Sequence, residues 1–214
     1  MPTFYWSKKR HKIPALLLLL EFWCVDMSAR TLSQLQTDSR VLASDATSAS
    51  RQRFADVQIT EFLNQGQREA VARSKCIEKS ANITLALGST YYATPSDFLS
   101  VRRLTRDNLA LSELTPAALD GRSRGWETSS GLPTYYFINF SSRGLIGFAP
   151  FPQVAADTGT VKMDYFSDAA DLSASTDEPF DSINELNAFH SSLAYYAASR
   201  MVLIDGRVNL AQVF

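Results

Sequence analysis

The segment "NAFHSSLAYY" places His190 beside Ser191 and Ser192, the residue types of a nucleophile and its base. The spacing argues against that chemistry. Adjacent residues on a helix do not face each other, so a Ser/His/Asp arrangement would need partners from distant parts of the chain. His190 is the one histidine beyond residue 26, and it reads as a side chain packed on a helix flank. A zinc site needs three or four His, Cys or carboxylate ligands, and Cys76 and His190 fall short of that. Only two cysteines are present, Cys24 and Cys76, so there is no disulfide framework. The acidic run "DYFSDAADLSASTDE" lacks the alternating aspartates, central glycine and closing glutamate of a calcium loop. Neither GxxxxGK[ST] nor GxGxxG occurs. These features predict no catalysis, no cofactor and no metal.

Binding residues are better represented. "SVRRLTR" supplies Arg102, Arg103 and Arg106, and Arg122 and Arg124 follow beside Trp126. Aromatics among arginines suit nucleic-acid contact if the fold gathers them, and otherwise a solvated strand face with a polar loop. The chain carries a net charge of −1, which gives no global pull toward nucleic acid or a membrane surface. The charge is unevenly spread: residues 27–143 hold 14 Lys/Arg against 11 Asp/Glu, and residues 144–214 hold 3 against 9. Eight of those acids, Asp168 and Asp171 among them, lie between 157 and 185 around the single Lys162. They read as a solvated loop, or as an acidic face that meets a basic neighbour. The candidate interface residues are therefore Tyr136, Phe140, Arg102, Arg103, Arg106, Trp126, Asp168 and Asp171.

These residues need elements to position them. Leu32, Leu35 and Leu42 mark a helix over 29–43, with Ser28 as an N-cap. "ADVQITEFLNQGQREAVARSKCIEKS" is the strongest helical stretch, spanning 57–79 after Asp56. Its stripe is Ile59, Leu63, Gly66, Ala70 and Ile77. Gly66 sits in that stripe although glycine costs about 1 kcal/mol in a helix interior, which predicts close approach of another helix. The last helix, 183–201, has Ser182 and Glu185 spaced as a capping box. Its stripe is Ile183, Leu186, Phe189/His190, Leu193, Tyr196/Ala197 and Met201. Between them, 81–180 reads as five or six short strands separated by Gly, Pro and Ser turns. The aromatic hairpin "TYYFINFSSRGLIGFAPFP" lies there, with one face expected in the core and the other free for a partner. The expected fold class is α+β: a small helical bundle from 27–80 and 181–214, with an inserted antiparallel β domain over 81–180.

The order of motifs is more specific than any one of them. "RFADVQITEFLNQGQREAVARS" precedes "YATPSDFLSVRRLTRD", then "ELTPAALDG…GWE…GLPTYYFINF", "IGFAPFP", "VKMDYF" and "LSASTDEPF", closing on "NELNAFHSSLAYYAASR". This layout, over residues 29–201, resembles the head–tail adaptor (connector) proteins of tailed bacteriophages. The resemblance implies a structural virion or prophage protein without enzymatic activity. It implies a ring of about a dozen copies beneath the portal protein. A tail or stopper protein would follow the ring, and DNA would pass through the bore without sequence-specific contact.

The first 26 residues have a basic stretch (Lys8, Lys9, Arg10, Lys12) and an apolar run from Ile13 to Leu20, as a secretory signal does. Glu21 interrupts the run, no small-x-small cleavage site follows, and the run is too short to span a bilayer. Export signal, membrane anchor and a true start at Met27 are the three readings. A virion protein assembled in the host cytoplasm needs no export, so the resemblance favours Met27. The competing class is an exported, non-enzymatic binding module whose aromatic hairpin is the ligand face.

Overall fold

A computed structural model of the chain describes residues 28–46, 52–138 and 144–206. Helix α1 (Leu32–Leu42) starts at Thr31, whose backbone N–H donates to the Gln34 side chain at 3.0 Å. That back-bond from the third helical residue marks the start in place of the expected cap at Ser28. Helix α2 (Asp56–Ser74) begins the same way, with the Ala55 N–H donating to Gln58 at 3.0 Å. It stops five residues earlier than its periodicity suggests. Lys75 turns left-handed at φ 52°, and its N–H caps Val71 O at 2.8 Å. Ile77 still enters the helical core, but as extended chain whose carbonyl accepts from the Ser167 N–H. The strand pattern that begins at Glu78 overrides helical periodicity there.

Eight strands follow among the described residues: β1 (Glu78–Leu85), β2 (Tyr91–Ala93), β3 (Phe98–Arg106), β4 (Leu109–Ala110), β5 (Ser112–Glu113), β6 (Tyr135–Ile138), β7 (Leu145–Ala149) and β8 (Gly159–Ser167). They form two sheets of four rather than one small sheet, ordered β1-β8-β3-β4 and β2-β7-β6-β5. All pairs are antiparallel except β5–β6, which is parallel. Val161, Met163 and Tyr165 alternate along β8, as the sequence predicts, and face Ile83, Leu85 and Leu104 within one sheet. Tyr136, Ile146 and Phe148 of the other sheet close over them. The sandwich thus has an apolar centre between its layers.

The hairpin β6–β7 buries both of its faces. Tyr136 points between the sheets, whereas Phe137 points outward and is covered by Trp126 and Leu119. The cover is helix α3 (Pro116–Arg122), with Thr115 Oγ accepting from the Ala118 N–H at 3.2 Å, and a 3₁₀ turn at Trp126–Thr128. The rings of Trp126 and Phe137 meet edge-on, 5.1 Å apart. Phe137 lies flat on Gly147, where any Cβ would collide with its ring. The expected free aromatic face is therefore taken up inside the protein.

Helix α4 (His190–Ile204) packs against α1 and α2 around Leu32, Leu35, Ile59, Leu63, Leu193, Ala197 and Met201. It starts seven residues later than its capping-box pattern predicts. Residues 180–182 and 184–189 form 3₁₀-type turns instead.

Candidate functional site

The stretch from Leu63 to Glu69 on α2 is where the sequence motif acquires a physical meaning. Leu63 is fully buried in the helical core. Asn64 grips Leu172 by both backbone groups: its Oδ1 accepts from the Leu172 N–H at 2.8 Å, and its Nδ2 donates to the Leu172 carbonyl at 3.1 Å. One turn on, Gln67 donates to the Ala170 carbonyl at 2.8 Å and accepts from the Phe180 N–H at 2.8 Å. Arg68 reaches both oxygens of Asp171 at 2.8 Å, and that carboxylate raises the guanidinium pKa. Gly66 leaves room for the Tyr196 ring of α4, whose hydroxyl meets Glu69 at 3.1 Å. Helix α2 therefore holds the 169–181 loop and α4 at once. The buried amides matter because an unpaired amide in an apolar interior is costly.

Three groups join the helices to the sandwich. The Lys79 ammonium on β1 lies 2.9 Å from Asp97 and 2.7 Å from Asp181. Burial alone would lower the Lys79 pKa, but these two carboxylates outweigh it and raise it. Burial likewise pushes Asp97 up, and Lys79 together with the Tyr165 hydroxyl holds it below the usual carboxylate range. A further buried pair secures the α1–α2 connection. Arg40, 3% exposed, bonds Asp45 at 2.7 Å, the Phe54 carbonyl at 2.8 Å and Asp56 at 2.5 Å. Neither Lys79 nor Arg40 has a local sequence signature, because their partners lie in other elements.

The predicted interface residues scatter. Arg102 and Arg103 are exposed on β3, where Arg102 pairs with Glu78. Arg106 is buried; its guanidinium donates to the Asp157 and Thr158 carbonyls at 2.6 and 2.9 Å. It closes the turn before β8 and presents no basic surface. Arg122 stacks over Tyr135 on the opposite sheet, 5.0 Å from the ring centre. The arginines are thus divided between the two sheets. Trp126 is 6% exposed, its Nε1 donating to Asp120 at 2.8 Å. Tyr136 is also 6% exposed; burial, then Glu113, pushes its hydroxyl up to about 12. Tyr136, Trp126 and Arg106 are therefore interior side chains, correcting the expectation of surface. Phe140 lies outside the described residues.

The acids are similarly engaged. Asp171 holds Arg68, Asp181 holds Lys79 and the Ala170 N–H, and Asp164 meets Ser80 and Lys162. Asp177 accepts from the Ser173 and Ala174 N–H groups, which lower its pKa. Asp168 accepts from the adjacent Ala169 N–H. The acidic run is largely a loop fastened to α2 and β1.

His190 is fully buried at the start of α4. Its Nδ1 accepts from the Arg30 N–H at 3.0 Å, its ring lies 5.8 Å from that of Phe180, and burial depresses its pKa. No group of three or more His, Cys, Asp or Glu able to hold a metal occurs among the described residues, and none of their helices is long and apolar enough to cross a membrane. The entry to α4 is conformationally strained. Phe180, Asp181 and Ser182 have φ of 56°, 56° and 57°, a left-handed turn of three non-glycine residues. That conformation costs an L residue about 1–2 kcal/mol.

The site is thus a set of internal fastenings that tie α2, the 169–181 loop, α4 and the sandwich together. A comparison with protein-family profiles matches residues 30–213 to the family described as SU10 adaptor protein. No curated protein matches the chain. The matched span takes in α1, the α2 fastenings, both sheets and α4, and it agrees with the resemblance to phage head–tail adaptors carried by the motif order. The chain belongs to the SU10 adaptor protein family.

Proposed function

We propose that this protein is a structural component of a tailed-phage virion, joining the head to the tail as an oligomeric ring. About a dozen copies sit between the portal protein and a tail or stopper protein, with DNA passing through the bore without base-specific contact. The protein assembles in the host cytoplasm and does no chemistry. The observation that carries this reading is the family match across residues 30–213, which covers nearly every described element. The internal use of His190, Tyr136 and Trp126 is in keeping with it, since side chains suited to catalysis or ligand stacking serve packing instead.

The test is genetic and morphological. A phage carrying a nonsense mutation early in this gene should yield heads assembled on portals but without attached tails. Supplying the intact protein in the host should restore joined particles. Complete virions from the mutant, or a failure at head assembly itself, would refute the assignment.

A further inference from the structure

The sequence and the fold disagree most sharply at residues 180–190. The capping-box pair Ser182 and Glu185 and the spacing of Ile183, Leu186, Phe189 and Leu193 specify an α-helix continuous with α4. The structure instead has 3₁₀ geometry over Asn184–Phe189, a run of six residues where three or four is usual. Ahead of it stands the left-handed turn Phe180–Asp181–Ser182. Among the described residues, Asn187 Oδ1 and His190 Nε2 are buried without a hydrogen-bond partner. A partly open, mainly apolar pocket of about 270 Å³ adjoins the segment, lined in part by Ala70, Cys76, Phe180, Leu186 and Phe189. Phe189 itself is 57% exposed. Strain, orphaned polar atoms, a partly open apolar pocket and an exposed aromatic ring thus coincide on one short segment.

The turn is held from outside. The Phe180 N–H donates to Gln67, the Asp181 carboxylate accepts from the Ala170 N–H at 2.8 Å and pairs with Lys79, and the Phe180 ring is buried beside His190. Strained backbone persists only where surrounding contacts over-determine it, and such places recur at switch regions.

We propose that residues 180–189 are a two-state element: latched as a left-handed turn plus 3₁₀ segment, and released as an N-terminal extension of α4. Release relaxes three left-handed residues and supplies the i→i+4 bonds the sequence encodes. Six residues shorten from about 12 Å to about 9 Å as rise falls from 2.0 to 1.5 Å per residue. That contraction draws on the loop gripped by Asn64 and Gln67, so the acidic 169–181 segment moves with the transition.

Ser182 permits a test that removes no fastening, because its side chain is exposed and makes no hydrogen bond among the described residues. Ser182→Gly eases the left-handed turn. Ser182→Thr makes it costlier and still caps a helix starting at Ile183. The released-to-latched ratio should be about 5- to 30-fold higher in Ser182→Thr than in Ser182→Gly. It is read from Cα chemical shifts and amide exchange of residues 183–189 in the full chain. α-Helical shifts with slower exchange in the Thr variant, and 3₁₀-like shifts in the Gly variant, support the proposal. Identical spectra over 183–189, or random-coil shifts in the Thr variant, overturn it. Asp181→Ala is a second route to release and should show the same helical shifts; disorder over 183–189 in that variant also counts against the proposal.

Discussion

The approach of α4 to α2 at Gly66 can be tested quantitatively. A Cβ at position 66 would lie 2.7 Å from Tyr196 Cδ1 and 3.1 Å from Cγ, against about 3.5–4.0 Å for an ordinary carbon contact. The ring must move by roughly 0.8 Å to accept even an alanine. It is tethered at its far end, where the hydroxyl meets Glu69 at 3.1 Å and Arg200 at 2.8 Å. Overpacking costs about 1–3 kcal/mol, and replacing a helical glycine by alanine returns about 1 kcal/mol. Gly66→Ala should therefore be neutral to about 2 kcal/mol destabilising, and Gly66→Leu worse. In a Tyr196→Ala background the clash disappears, and Gly66→Ala should stabilise by about 1 kcal/mol. Urea unfolding of the four proteins, followed by circular dichroism, gives a coupling energy of about 1–3 kcal/mol if this geometry is right. Equal stabilisation by Gly66→Ala in both backgrounds would refute close packing at this position.

Arg40→Ala takes from buried Asp45 its closer cation, leaving the half-exposed Arg53 at 3.5 Å, and should cost about 3 kcal/mol, seen as a lowered urea midpoint; a loss below 1 kcal/mol would mean the Arg40–Asp45 pair is not buried in solution. Asn64→Ala strands both backbone groups of Leu172 and should cost about 1–3 kcal/mol, with faster amide exchange at Leu172 as its local signature. His190 makes stability depend on pH. Its folded-state pKa lies below the unfolded value near 6.5, so the unfolded chain takes up the proton first as pH falls. Stability is complete above about 6.5 and declines below it, by at most about 1.4 kcal/mol per pH unit. His190→Gln should remove that part of the slope, measured by unfolding between pH 7 and 5.

Much of the architecture is legible in local pattern. Thr115–Pro116 opens a helix because threonine caps and proline suits the first turn, and β8 alternates because one of its faces is buried. Gly66 reports close helix packing since nothing local favours glycine there. The misreadings have physical causes too. Helical spacing in α2 runs on past Ser74, but Lys75 reverses the chain and β pairing takes Glu78 onward. A hairpin rich in aromatics on both faces reads as a ligand surface; α3, which ends 13 positions before β6 and shares no periodic pattern with it, covers the outer face instead. Arg106 and Arg102 are identical in type, four residues apart, and have opposite fates, because only the fold brings the 157–158 carbonyls to Arg106. Asn64 and Gln67 stand inside the quoted α2 motif, but nothing in it marks them as fastenings, because their partners are loop backbone groups more than 100 positions away, which no side-chain pattern records.

The most direct test of the central claim is electron microscopy of the purified protein mixed with portal rings from the same phage. The adaptor reading predicts an added layer on one end of the portal, with about a dozen copies of the protein arranged around the portal axis. Bare portal rings beside unassociated protein, under conditions where both components are folded, would contradict it.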